Sequence, residues 1–345
     1  MEGHQIVMAV YGKFPYTDDD AFSSISKIII EERKFWSDPG SNYFFTLAIS
    51  TDDKGNYGGT GYYNSFCIFP SSDVQLTNGI SQTISHEYFH NWIGSGLKNP
   101  NPDEAYKWFS EGFTDYYSLK LLNKIGVLSK ADFIKKLNQD IREYYLSPHF
   151  NSDSLDMIGK YWTDEDWRLL PYRRGLTIAL TLDLKIQEKN SSASLDDLMR
   201  ELYKRSKPSL IFSTSLFEQL VLKYTGQETL DAVKGAIQGK NEMLTRALLS
   251  NKIYKTSPLA VHQVFDKGFD VATSTKEKKI VGLKVGSNAE KAGLREGMPF
   301  TGNVGFWINN TEKPGKVQIV RDNKKEWISY IPVATVDFQV PQVTL

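Results

Sequence analysis

The opening third of the chain sets apolar and polar residues in short alternating runs, IVMAVYG, NYFFTLAIS and GYYNSFCIF, each closed by Gly, Asn, Asp or Pro. A two-residue period rich in β-branched and aromatic side chains, stopped by turn formers, predicts the strands of a small sheet. Between the first two runs, AFSSISKIIIEERKFW spaces Phe22, Ile25, Ile28, Ile29 and Phe35 at near-helical intervals, so a helix is expected there. From Gly79 the period becomes helical and stays so to about residue 250. Ser129 with Asp132, and Ser194 with Asp197, mark two helix starts, a hydroxyl acceptor followed by an acid that the helix dipole favours. Pro148, Pro171 and Pro208 are expected to punctuate the helices, and residues 149–170, which lack a clean period, to form a long loop. After residue 255, the runs KKIVGLKV, KVQIVRD and KEWISYIPV return to β texture and predict a separate C-terminal β-domain.

The pattern therefore predicts an α+β chain of two domains. Residues 1–253 form the first, with a sheet-containing part over 1–125 and a helical part over 126–253, and residues 254–345 form the second. The length of 345 residues agrees with two domains of ordinary size. No internal repeat or low-complexity tract interrupts it.

Composition changes this picture mainly by exclusion. The 41 basic and 41 acidic residues cancel, which argues against nucleic acid or an anionic membrane as partner. The single cysteine, Cys67, cannot form an internal disulfide and reads as a small buried hydrophobe in SFCIF. No stretch approaches the ~18–20 apolar residues of a membrane span, and MEGHQIVMAV lacks the order of a signal peptide. A soluble protein is expected, cytoplasmic, or periplasmic if a leader has been removed; oligomeric state is not legible.

Candidate chemistry begins in GISQTISHEYFHNWIG, where Ile80, Ile84, Tyr88 and Trp92 make the buried stripe of a helix. His86 and His90 are also four apart, so one turn places both imidazoles on the same side with Glu87 beside them. This H-E-x-x-H spacing suits two metal ligands and a glutamate general base for the attacking water. Peptide hydrolysis near neutrality needs a better nucleophile than water, and zinc lowers the pKa of a coordinated water to about 7. In KWFSEGFTDYYSLKLL, Glu111 and Asp115 share one helix face amid Trp108, Phe109, Phe113 and Tyr117. Carboxylates in aromatic surroundings are costly unless paired or ligating. Glu111 is therefore expected as third ligand and Asp115 as acceptor for a ligand imidazole, that of His86. Three protein ligands leave a fourth position open, as catalytic zinc requires. One Zn2+ per chain is expected. His4, His149 and His262 lack ligand spacing and read as surface or loop residues.

HEYFHNW followed by WFSEGFTDYY resembles the glycyl-aminopeptidase family of zinc metallopeptidases, relatives of the aminopeptidase-N family. The resemblance implies a thermolysin-like (gluzincin) catalytic domain followed by a PDZ domain, and IVGLKVGSNAEKAGLREGMPF is similar to the PDZ pattern through Ala292, Gly293, Leu294 and Gly297. It also implies peptide substrates with small N-terminal residues, and an oxyanion-stabilising tyrosine matched by Tyr172, with Tyr161 as runner-up. The PDZ-like module either takes an extended peptide or braces the catalytic domain. Gly58 and Gly59 in NYGGTGYYNS match the glycines of a family loop at the substrate, yet Gly61 stands where the family has an acid suited to a free α-amino group. The segment between His90 and Glu111 is shorter than is usual in the family, and the chain starts almost directly in the catalytic part. An endopeptidase with an open cleft, and a non-catalytic peptide-binding scaffold, are the competing readings.

Overall fold

The structure, a computed structural model, describes residues 4–38, 40–48, 57–62, 64–76, 78–261, 263–307, 310–336 and 338–344. His262 lies outside the described residues. The run IVMAVY forms β1 (Ile6–Tyr11) and YFFTLA forms β2 (Tyr43–Ala48), with α1 (Asp18–Trp36) between them. Thr17 starts α1 by accepting from Asp20 N while the Asp20 carboxylate reaches back to the cap, so two otherwise orphaned groups satisfy each other. The third run, GYYNSFCIF, is not one strand. It closes β3 (Gly59–Tyr62) and opens β4 (Ser65–Ile68), reversing at Asn64, whose φ of 59° is a left-handed conformation that asparagine tolerates. The sheet runs β1-β2-β4-β3, with β1, β2 and β4 parallel and β3 antiparallel at the edge. Tyr43, Phe45 and Leu47 of β2 and Phe66 and Ile68 of β4 are buried.

Helices then carry the first unit. They are α2 (Asn78–Phe89), α3 (Lys107–Ser110), α4 (Gly112–Lys124), α5 (Lys130–Tyr145), α6 (Glu165–Lys189), α7 (Leu195–Ser206), α8 (Thr214–Tyr224), α9 (Gln227–Ile237) and α10 (Glu242–Leu249). Ser129 and Ser194 cap α5 and α7 through the residues named from sequence. Pro171 does not end a helix but lies inside α6, which starts at the Asp164 cap. A proline there removes one backbone bond and costs about 3 kcal/mol; α6 tolerates it because its residues from Leu170 to Leu184 are almost all buried against neighbouring helices. The segment ahead of α6 holds a short 3-10 turn, Ser154–Met157. It is pinned by Arg174, 1% exposed, whose guanidinium donates to the carbonyls of Phe150 and Ser152 at 3.3 and 2.6 Å and to Ser154 Oγ at 3.2 Å.

The chain divides into two units, residues 1–257 with 341–345, and residues 258–340. Strand β5 (Lys255–Val261) spans the division; in the second unit, β6 (Val264–Phe265) pairs with β10 (Val333–Ala334), and β7 (Phe300–Gly305), β8 (Gly315–Arg321) and β9 (Lys324–Tyr330) form an antiparallel sheet. Short helices α11 (Val271–Glu277) and α12 (Asn288–Lys291) pack with it around Phe269, Ile280, Ala289, Leu294, Phe300, Val317 and Ile319. KVQIVRD and KEWISYIPV supply β8 and β9, whereas KKIVGLKV forms no extended strand and is held by a bridge at Lys279 and by backbone bonds of Ile280 with Gly297 and Met298. Within the first unit, Asn138 donates to Val343 O at 2.7 Å and accepts from Val343 N at 2.8 Å. Among the described helices none is long and apolar enough to cross a membrane.

Asp183 ties three helices of the first unit together. Its carboxylate accepts from Tyr116 at 2.6 Å, Lys120 at 2.8 Å and the Leu195 amide at 2.9 Å. Burial alone would raise its pKa, but Lys120 and the hydrogen bonds hold it below the ordinary carboxylate value. A lowered folded pKa stabilises above the unfolded value, and that stability is lost as pH falls through the folded one. Asp183→Ala leaves the Tyr116 hydroxyl and the Leu195 amide without their acceptor and Lys120 with Asp196 alone, and should cost about 1–3 kcal/mol in urea unfolding at neutral pH. The difference from the parent should shrink below about pH 4, near the unfolded Asp value.

Candidate metal centre

Helix α2 is held from behind. Ile80, Ile84, Tyr88 and the following Trp92 are each at most 2% exposed. Arg33 of α1 donates to the Tyr88 hydroxyl at 2.7 Å, and Trp92 donates to Asp38 at 2.9 Å. Ser85 donates to the wholly buried Glu32 at 2.6 Å, and burial raises the Glu32 carboxyl well above its ordinary value. With that face committed, the opposite face carries His86, Glu87 and His90.

The third carboxylate comes from an almost continuous helix. Backbone bonds from Glu111 N to Lys107 O and from Asp115 N to Glu111 O, at 2.8 and 2.9 Å, carry α3 into α4. Here α6 crosses so closely that a Cβ on Gly112 would meet the Gly175 backbone, and one on Gly175 the carbonyl of Trp108. The crossing places Glu111 and Tyr172, neighbours of those glycines in sequence, on the same side as the histidines.

His86 Nε2, His90 Nε2 and Glu111 Oε2 form a triangle with sides of 3.1, 3.3 and 3.4 Å. His86 Nδ1 is 2.7 Å from Asp115 Oδ1 and His90 Nδ1 is 2.9 Å from the carbonyl of Ile93. Carboxylate and carbonyl only accept, so both Nδ1 atoms carry protons, and three lone pairs face one point from the triangle's corners. Such a cluster is unfavourable without a cation. Tetrahedral bonds of about 2.0–2.1 Å put neighbouring ligand atoms about 3.3–3.4 Å apart, so the triangle has the dimensions the donor set requires. His86, His90 and Glu111 could hold a metal ion. Burial lowers the His86 pKa, but Asp115 and Glu111 overcome it and hold the ring well above its ordinary value, so this corner of the cluster favours a positive charge, whether a proton or a metal ion supplies it.

The Tyr172 ring stacks on that of His86, with centroids 5.8 Å apart and planes 15° from parallel, and its hydroxyl accepts from Tyr161 at 3.3 Å. Burial and the Glu111 carboxylate push the Tyr172 phenol well above its ordinary value, so it remains a donor at neutral pH. Gly59 lies in β3 and Gly58 just before it, while Gly61 of the same strand backs onto Glu87. His149 stacks on Trp167 and His4 is exposed, both away from the triad's hydrogen bonds. Sequence reading missed Lys107, whose ammonium lies 3.4 Å from Glu111 Oε1, 3.0 Å from Asp103 and 4.8 Å above the Tyr161 ring. It occupies one oxygen of Glu111 and leaves the other to the histidines. The i, i+4, i+8 ladder Asp103, Lys107, Glu111 was the signal for it.

Residues 80–165 match the family model of the M61 glycyl aminopeptidases, a span that contains His86, Glu87, His90, Glu111 and Asp115. An aminopeptidase N family protein from Idiomarina loihiensis shares the fold at 17% identity, with a TM-score of 0.67 over 100% of this chain and 68% of that one. No curated protein sequence matches the chain. The matched segment supports a peptidase. HEYFHNW and WFSEGFTDYY, which carry the resemblance to the glycyl-aminopeptidase family, both lie inside the matched span.

Gly175→Ala should lower the midpoint of thermal unfolding and weaken metal retention together, because its Cβ would press on the Trp108 carbonyl one turn before Glu111. Calorimetry and metal analysis of the same preparation check this.

Proposed function

We propose that the chain is a zinc-dependent peptidase in which His86, His90 and Glu111 hold one Zn2+. The observation behind this is the triangle of two ring nitrogens and one carboxylate oxygen, 3.1–3.4 Å apart, with both Nδ1 atoms already committed. When bound, such an ion supplies Lewis acidity that polarises the scissile carbonyl and makes water nucleophilic near neutral pH. Glu87 takes the proton of the attacking water and returns it to the leaving amine. The Tyr172 phenol donates to the oxyanion as it develops. Asp115 fixes the tautomer and orientation of His86, and Lys107 holds Glu111 to one-oxygen contact. Residues 258–340 are read as a PDZ-like unit, on the similarity of 282–297 to that pattern and the β-rich core around Leu294.

The family match favours aminopeptidase-like action on peptides with small N-terminal residues, with Gly58 and Gly59 beside the substrate. Gly61 favours a second reading, an endopeptidase, because β3 offers no carboxylate at that position for a free ammonium.

Purified protein should carry about one zinc per chain. Glu87→Gln should keep the metal and lose turnover, since an amide cannot accept the proton; a fully active, metal-loaded variant would remove the assigned base. Asp115→Ala should weaken metal affinity about 10–100-fold, read by competition with a chromogenic chelator. Cleavage of N-acetylated peptides as fast as free ones would decide for the endopeptidase.

A further inference from the structure

We infer that Gly61 is the positioning residue for Glu87: β3 is built without a side chain there so that the Glu87 carboxylate rests against the strand. This deepens the reading of Glu87 as general base and rests on it.

Strand β3 lies along α2. Gly59 and Gly61, two apart and so on one face of the strand, meet Thr83 and Glu87, four apart and so on one face of the helix. A Cβ on Gly59 would be 3.3 Å from Thr83 Cγ2 and equally close to the Cys67 carbonyl. A Cβ on Gly61 would be 2.6 Å from Glu87 Oε2 and 3.7 Å from its Cδ.

Glycine usually earns its place by adopting a positive φ, and neither position does so. Gly61 pairs with Phe66 in an ordinary antiparallel register, where a residue with a side chain would strengthen the strand. What glycine provides at 61 is room, and the Glu87 carboxylate fills it. Among the described residues, moreover, no hydrogen bond or ion pair holds the Glu87 carboxylate. Packing against the bare backbone of β3 is what restrains it.

The atom in the way is the end of a flexible side chain, so Gly61→Ala can fold by turning Glu87 aside. Stability and function are then expected to part. The midpoint of thermal unfolding and the zinc content should hold or rise, KM should change little, and kcat should fall about 100-fold, as a displacement of about 1 Å in a reacting group can cost. Glu87→Asp supplies the rescue arm. Its shorter carboxylate clears the new methyl, so Glu87→Asp should impair the parent and should not impair Gly61→Ala further.

Parental kcat in Gly61→Ala, independent multiplication of the two losses, or loss of zinc or stability in step with activity would each overturn the inference. A crystal structure of Gly61→Ala gives a readout independent of turnover: the Glu87 carboxylate should have left β3, and an unmoved carboxylate would overturn it as well. Failure of the parent reading is separate, because it would appear as full activity in Glu87→Gln.

Discussion

Three acceptor atoms aimed at one point repel unless a positive charge lies among them, and the first unit spends much of its packing on holding them in that arrangement. His86 is fixed by Asp115, His90 by the Ile93 carbonyl, and Glu111 by Lys107 on its other oxygen. Two of these restraints come from the nearly continuous α3 and α4, and the third from the turn after α2. The aromatic layer of Phe35, Trp36, Phe89, Trp92 and Tyr117 beneath α2 keeps these stretches from sliding relative to one another.

Where the candidate site follows a local period, its placement was legible from the residues. The four-residue step of Ile80, Ile84, Tyr88 and Trp92 gave the buried face of α2 and therefore the exposed direction of His86 and His90. Glu111 and Asp115 were legible for the same reason, since acids among aromatic residues need partners. The hairpin inside GYYNSFCIF was hidden because Asn64 looks like a strand interruption only once both flanking segments find separate partners. Pro171 misled in a similar way: a helix buried on nearly every side can carry a proline that an exposed one would not.

What sequence could not give is contact between distant segments. Gly112 and Gly175 are unremarkable in isolation, and only the crossing of α4 and α6 shows that neither can bear a side chain. Gly61 was legible as a missing acid but not as a space occupied by Glu87. Lys107 followed a visible charge ladder, yet its nearness to Tyr161 depends on the fold of a segment with no period of its own.

The pair of hydrogen bonds between Asn138 and Val343 has a practical consequence for anyone dividing the polypeptide. The second unit is an insertion and not a tail, since the chain goes back to the first unit after residue 340. A stop codon after Ser257 would discard Val343, 1% exposed, and leave both polar groups of Asn138 without their partner. Excision of 258–340 with the two ends rejoined would keep them satisfied, and it is the deletion that respects the molecule's own seams.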